Sequence, residues 1–297
     1  MYLSGIADEA GANIDVQIKA TRELGWKHIE ARNVEVTGFP KANLHDIPDA
    51  AFDIAAEKLE EAGIEVNCFG STIGNWGKRI EDPFDITLAE VKRAIPRLQR
   101  LNCKFIRIMS YKVRDEEDQM EKERFYRMNE VTKRFLGAGV QPVHENCMNY
   151  GGMGWSFALK LLERVEGLKW VFDTANPIFN EDRSKPKPWP KQDPWEFYTN
   201  VKPWVAHVHI KDAVWNTEKK DADYKFPGEG AGAVRPIIKD LLSNGYDAGF
   251  SIEPHMAVVF HDASVKSSDE EQYRNYIEYG QRLGKLIEEL RGELKGS

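Results

Sequence analysis

Glu145, Asp173, His209 and Glu253 each close a short apolar run, in VHEN, VFDTAN, HVHIKD and SIEPH, and each run reads as the C-terminal end of a β-strand. Two glutamates, an aspartate and an imidazole delivered by successive strands make an oxygen-rich donor set. Converging carboxylates repel one another and are pushed toward protonation unless a cation lies between them. A divalent ion relieves that repulsion, and mixed carboxylate and imidazole donors suit Mn2+, Mg2+, Co2+ or Zn2+. No set of cysteine ligands accompanies these positions, which argues against a structural zinc. One bound divalent metal ion is the expectation.

The elements that must position these residues follow from the pattern of the whole chain. MYLSGIAD, HIEARNV, IEVNCFGS, FIRIMS, VQPVHEN, LKWVFDTAN, VAHVHIKD and GFSIEP are short apolar runs of strand character. Helical patterns alternate with them, at about 13–24, 47–62, 85–101, 117–137, 155–165, 194–201, 232–244 and 268–292. Such alternation implies parallel strands with crossover helices, and eight units close into an α/β fold, a single (β/α)8 TIM barrel. Gly25, Gly63, Gly139 and Gly245 each stand just past a helical run, where a left-handed C-cap is expected. The Pro-rich stretch 180–195 cannot be helix or central strand, so it reads as a loop insertion after the sixth strand. A single domain over 1–297, ending in a helix near 268–292, is expected.

In this fold the active site is built at the C-terminal strand ends, where all four residues lie. Alternation along a strand groups Val143 with Glu145, Val171 with Asp173, and His207 with His209 and Lys211, all toward the barrel mouth. His144 then faces outward and packs.

Composition limits the partners. The chain has 297 residues, 41% hydrophobic content, a net charge of −7 and a pI near 5.6. An acidic surface opposes binding to nucleic acid and to anionic membranes, so a small molecule is the expected partner. No stretch approaches a membrane span and no leader pattern opens the sequence, giving a cytoplasmic expectation. Cys68, Cys103 and Cys147 show no CxxC spacing and read as reduced packing thiols. No GxGxxG follows a first strand and no GxxxxGK[ST] occurs, so no nucleotide cofactor is expected. Exposed barrel helices are compatible with a homo-oligomer.

HIEARN at 28–33, GSTIG at 70–74, FIRIMS at 105–110, HEN at 144–146, FDTAN at 172–176, HVHIKDA at 207–213, PGEGAG at 227–232 and IEPH at 252–255 together resemble the xylose isomerase-like TIM-barrel superfamily. The likeness is to its sugar phosphate isomerase/epimerase branch, which includes ketose 3-epimerases, hydroxypyruvate isomerases and inosose dehydratases. The resemblance implies metal ligation by Glu145, Asp173, His209 and Glu253, with Glu145 and Glu253 also catalytic. It implies a metal-dependent isomerase or epimerase of a sugar or sugar derivative, working by proton transfer through a metal-stabilised enediolate. A lyase of the inosose or dehydroshikimate dehydratase type is the alternative, and a non-catalytic sugar or metal binder a further one. An endonuclease of the DNA-repair branch is disfavoured by the acidic chain and its seven histidines.

The sequence departs from the epimerase pattern at Asn176, where those enzymes carry a histidine, and at Lys211, the nearest cation to the metal histidine. Both are expected to touch substrate, as are Glu229 from the glycine-rich loop, Arg107, Glu30, Arg32 and His207. Trp76, Trp155, Trp189 and Trp215 are read as mouth-side loop aromatics on which a sugar face could stack.

Overall fold

Strands and helices alternate eight times in a computed structural model that describes residues 1–257 and 267–296. The succession is β1 (Tyr2–Gly5), α1 (Ile14–Glu23), β2 (His28–Ala31), α2 (Asp49–Ala62), β3 (Glu65–Phe69), α3 (Phe84–Arg100), β4 (Phe105–Ile108) and α4 (Glu121–Gly137). It continues with β5 (Gln141–Glu145), α5 (Trp155–Arg164), β6 (Lys169–Asp173), α6 (Pro194–Val201), β7 (Val205–Ile210), α7 (Val234–Ser243), β8 (Gly249–Ile252) and α8 (Asp269–Gly296). Every strand pairs in parallel with its sequence neighbours from β2 through β8, and β8 pairs with β1. The remaining seam, β1 to β2, is crossed by a single bridge between Ile6 and Glu30. The eight alternations expected from the sequence are therefore a nearly closed (β/α)8 barrel.

The expected glycines do cap their helices, with φ of 70° at Gly25, 65° at Gly63, 79° at Gly139 and 74° at Gly245. One boundary differs. Residues 117–120 are irregular rather than the first turn of α4, because the Gln119 amide bonds both the N–H and the carbonyl of Arg114. The Pro-rich stretch runs irregularly between the single-turn helix Asn176–Phe179 and α6. It is fastened by the Gln192 amide, which donates to the Gly152 and Glu181 carbonyls. The sequence reading did not foresee an antiparallel hairpin, Asp212–Asn216 with Asp221–Lys225, that extends the end of β7.

Two apolar layers hold the frame. Ile106, Ile108, Phe172, Val208 and Phe250 point outward from the strands and belong to one core with Leu98, Phe135, Leu161, Phe197 and Leu283 of the helices. Inside the barrel, Cys68, Val143 and Val171 fill the floor together with Phe105 and Ala206. Above that floor the interior turns polar. His144 faces outward as expected, stacked on Trp170 at 4.8 Å and bonded to Ser110. Among the described residues no helix is long and apolar enough to cross a membrane.

Candidate metal centre

Glu145 ends β5, Asp173 ends β6, His209 sits one residue short of the end of β7, and Glu253 follows β8. The ladder register sets Asp173 beside His209 and Ser251 beside His209, which brings the four side chains to one level of the barrel. Each offers an oxygen or nitrogen within 4.8 Å of the others, and all four are buried. His209 Nδ1 lies 3.6 Å from Glu145 and 3.9 Å from Glu253.

Each of the four side chains has at least one atom held by a neighbouring residue. Glu30, on the opposite wall, bonds His209 Nε2 at 3.0 Å and turns Nδ1 toward the carboxylates. Asp173 Oδ1 accepts the backbone N–H groups of Ala175 and Asn176 at 2.9 and 2.7 Å, which leaves Oδ2 facing inward. Arg107 holds Glu145 Oε2 at 2.9 Å and Asn176 holds its Oε1 at 3.0 Å. Arg32 holds Glu253 Oε1 at 2.8 Å, and Lys211 holds its Oε2 at 2.9 Å.

His209 Nδ1 is buried and makes no hydrogen bond although it points into the cluster, while Asp173 Oδ2 beside it is met by the Lys211 ammonium at 3.0 Å. Orphaned buried polar atoms are costly in a folded protein. Three carboxylates and an imidazole converging on one buried point are a donor set that fits a divalent cation, with Glu30 orienting the histidine and Lys211 standing on the inner oxygens of Asp173 and Glu253.

The electrostatics agree. Burial and the neighbouring Glu253 and Glu145 raise the Asp173 carboxyl to about 7 against the pull of Lys211. Burial would also raise Glu145, but Arg107 and His209 outweigh it and hold this carboxyl at about 2. Glu253 falls well below the usual range, burial being overcome by Lys211, His255 and Arg32. Burial works against the His209 cation, yet Glu30 and Glu145 raise it to about 10.

A cleft of about 210 Å3 opens above the cluster, walled by Arg32, Arg107, Glu145, Asn176, Lys211 and Glu253, with Trp76 and Phe179 at its side. That volume equals about seven waters, the scale of a small polyol. A larger groove of about 980 Å3 lies beside α7 and α8, and none of the four residues lines it.

Several expected substrate contacts lie elsewhere. Glu229 points outward to pair with Arg282 of α8 at 2.7 Å, because the loop backbone is gathered on Asp212. The Asp212 carboxylate accepts the N–H groups of Gly228, Gly230 and Gly232 at 2.9, 2.9 and 2.8 Å, and a side chain at Gly230 would collide with it. Glu30 and His207 are fully buried beneath the mouth, joined at 2.8 Å, and His207 stacks on Phe105 of the floor. They support His209 rather than face the cleft. Asn176 reaches the cleft but commits its amide N–H to Glu145. Of the tryptophans, Trp76 lines the cleft, Trp155 begins α5, and Trp189 and Trp215 lie under Arg183 and Lys191 in cation–π contacts.

Other residues had no expected role. The Asn146 side chain donates to the Asp173 carbonyl and accepts its N–H, both at 2.8 Å, stitching the ends of β5 and β6. Asp8 and Glu9 bond Arg32 from across the seam, and Glu9 also bonds His255. Asn146 and His255 lie inside the HEN and IEPH motifs, so adjacency to a ligand was the available signal.

The model of the xylose isomerase-like TIM barrel family matches residues 18–283, and the chain belongs to that family. A D-tagatose 3-epimerase-like protein superposes with a TM-score of 0.71 at 14% identity, covering 99% of this chain and 100% of that one. The IOLI protein, solved with a bound zinc atom, gives 0.69 at 16% identity over 98% and 99%. D-psicose 3-epimerase with D-tagatose from Clostridium cellulolyticum H10 gives 0.66 at 16% identity over 97% and 99%. At these identities the likeness is one of fold. No curated protein matches by sequence.

Proposed function

We propose that the protein is a divalent-metal-dependent isomerase or epimerase that moves a proton on the carbon beside a carbonyl in a sugar or sugar derivative. The observation that carries this reading is the buried convergence of Glu145, Asp173, His209 and Glu253 on one point, in which His209 Nδ1 makes no hydrogen bond. Glu145, Asp173, His209 and Glu253 would hold the ion. A bound cation supplies Lewis-acid polarisation of adjacent carbonyl and hydroxyl oxygens. The epimerases among the structural neighbours support a sugar-like substrate.

Glu145 and Glu253 stand on different walls of the cleft, each clamped by its own arginine. Either carboxylate can accept the α-proton; the electron pair left behind forms the carbon–carbon double bond of an enediolate, and the carbonyl oxygen gains the charge. Return of the proton to the neighbouring carbon, with the hydroxyl proton passing to the former carbonyl oxygen, isomerises; return to the opposite face of the same carbon epimerises. Arg32, Arg107 and Lys211 line the cleft and are the groups assigned to substrate oxygens. Asn176 orients Glu145 and takes no part as acid or base. Free thiols at Cys68, Cys103 and Cys147 support a reducing, cytoplasmic setting.

The test is exchange of a substrate α-proton with deuterated solvent, across a panel of ketoses, sugar acids and inososes with Mn2+, Mg2+, Co2+ or Zn2+ present. Glu145→Gln and Glu253→Gln are each expected to slow exchange by about a thousandfold. Wild-type protein that binds metal yet exchanges no proton on any of them would sink the proposal, and a water-loss product would move it to the lyases.

A further inference from the structure

Lys211 occupies a place that the chemistry of the site does not require of a substrate-binding residue. Its ammonium is 3.0 Å from Asp173 Oδ2 and 2.9 Å from Glu253 Oε2, and the residue is 2% exposed. These are the two oxygens left for a metal, because Asp173 Oδ1 is taken by two backbone N–H groups and Glu253 Oε1 by Arg32. Arg107 and Arg32 differ from it: each holds the outer oxygen of its glutamate, a contact that survives when the inner oxygen is used. Lys211 alone among the three cations bonds only inner oxygens.

We propose that Lys211 is an internal counter-cation that closes the metal position in the metal-free protein and is displaced into the cleft when a divalent ion binds. The inference rests on the metal reading above and adds an order of events to it. A divalent ion and an ammonium cannot share both oxygens at contact distance without strong repulsion. The displaced ammonium has somewhere to go, since Lys211 already lines the cleft and its Nζ lies 6.0 Å from the Phe179 ring. Its three donors then become available to a substrate oxygen only after metal has entered. Without the lysine, the metal-free cluster would keep buried acids with no mobile cation between them, which is the costly arrangement for a buried charge.

The test uses Lys211→Met and wild type, purified with metal and then stripped with chelator. Isothermal titration with Mn2+ is expected to show at least about tenfold tighter binding in the variant, because the competitor is gone. The melting temperature of the metal-free variant should fall by about 5 °C or more, while the metal-loaded forms melt within about 2 °C of each other. Equal losses in both states, or unchanged metal affinity, would overturn the proposal and leave Lys211 a fixed ion-pair partner. Should the stripped variant fail to fold, a crystal structure of Mn2+-soaked wild type decides: Nζ released from both Asp173 Oδ2 and Glu253 Oε2 supports displacement, and Nζ retained on both refutes it. Wild type that binds no divalent ion would instead remove the metal reading itself.

Discussion

Glu30 decides how His209 presents itself, although the two residues come from opposite walls of the barrel. With Nε2 bonded to a carboxylate, Nδ1 is the nitrogen left for the ion, and the ring cannot rotate without breaking two buried contacts. Loss of such an orienting carboxylate typically weakens a metal site by about 10- to 100-fold. Glu30→Gln is therefore expected to raise the Mn2+ dissociation constant by that factor in isothermal titration. Unchanged affinity would mean that strand geometry alone orients the imidazole. At this scale the sequence was legible for the four cluster residues, because each is a polar residue ending an apolar run. It was not legible for Glu30 or His207, since depth along a strand, and not residue type, separates a group facing the cleft from one bonded beneath it.

The elements transmit these placements by alternation, and β5 shows both faces at work. Glu145 points in, while His144 points out into an apolar setting where burial holds its imidazole at about 3 despite the nearby Glu145 carboxylate. A histidine whose folded value lies below its unfolded value of about 6.5 binds its proton in the unfolded chain first. Its contribution is fully present above pH 6.5 and is lost as pH falls toward 3, by up to about 1.4 kcal/mol per pH unit. Urea denaturation of His144→Gln and wild type between pH 7 and pH 4 should show the wild type losing stability more steeply. Parallel curves would remove His144 as the cause. The glycine-rich loop after the hairpin makes a second case. Asp212→Ala strands the N–H groups gathered there, an expected cost of about 3 kcal/mol by denaturation, and a change below about 0.5 kcal/mol would contradict the clamp. The sequence showed the glycines of PGEGAG but not their anchor, because Asp212 looks like any polar residue past a strand end. The outward turn of Glu229 follows from that missed anchor.

For the whole molecule, the strand–helix alternation and the C-capping glycines made the barrel readable almost throughout, since both are local signals repeated along the chain. The hairpin at the end of β7 escaped because its pairing extends a strand already counted. We propose that the chain folds as one domain, which calorimetry checks as a single cooperative transition. Two separable transitions would divide it. Binding of an ion to the folded state alone adds about 2.7 kcal/mol at a hundred times its dissociation constant. Chelation is thus expected to lower the melting temperature by about 5 °C, reversed by Mn2+, and an unchanged midpoint would argue against a resident ion.

The seam between β1 and β2 carries a single ladder bridge, and above it the closure is made by side chains. Asp8 grips Arg32 and Asn33 across the gap, and Arg32 in turn grips Glu253. The guanidinium that positions a proposed base is also the latch of the cylinder. A lineage drifting toward a new substrate could trade Trp76 with little structural debt, whereas loss of Arg32 would remove that latch. Divergence of activity on this scaffold should consequently concentrate on the β3 to β7 side of the mouth, with the seam side inherited nearly intact.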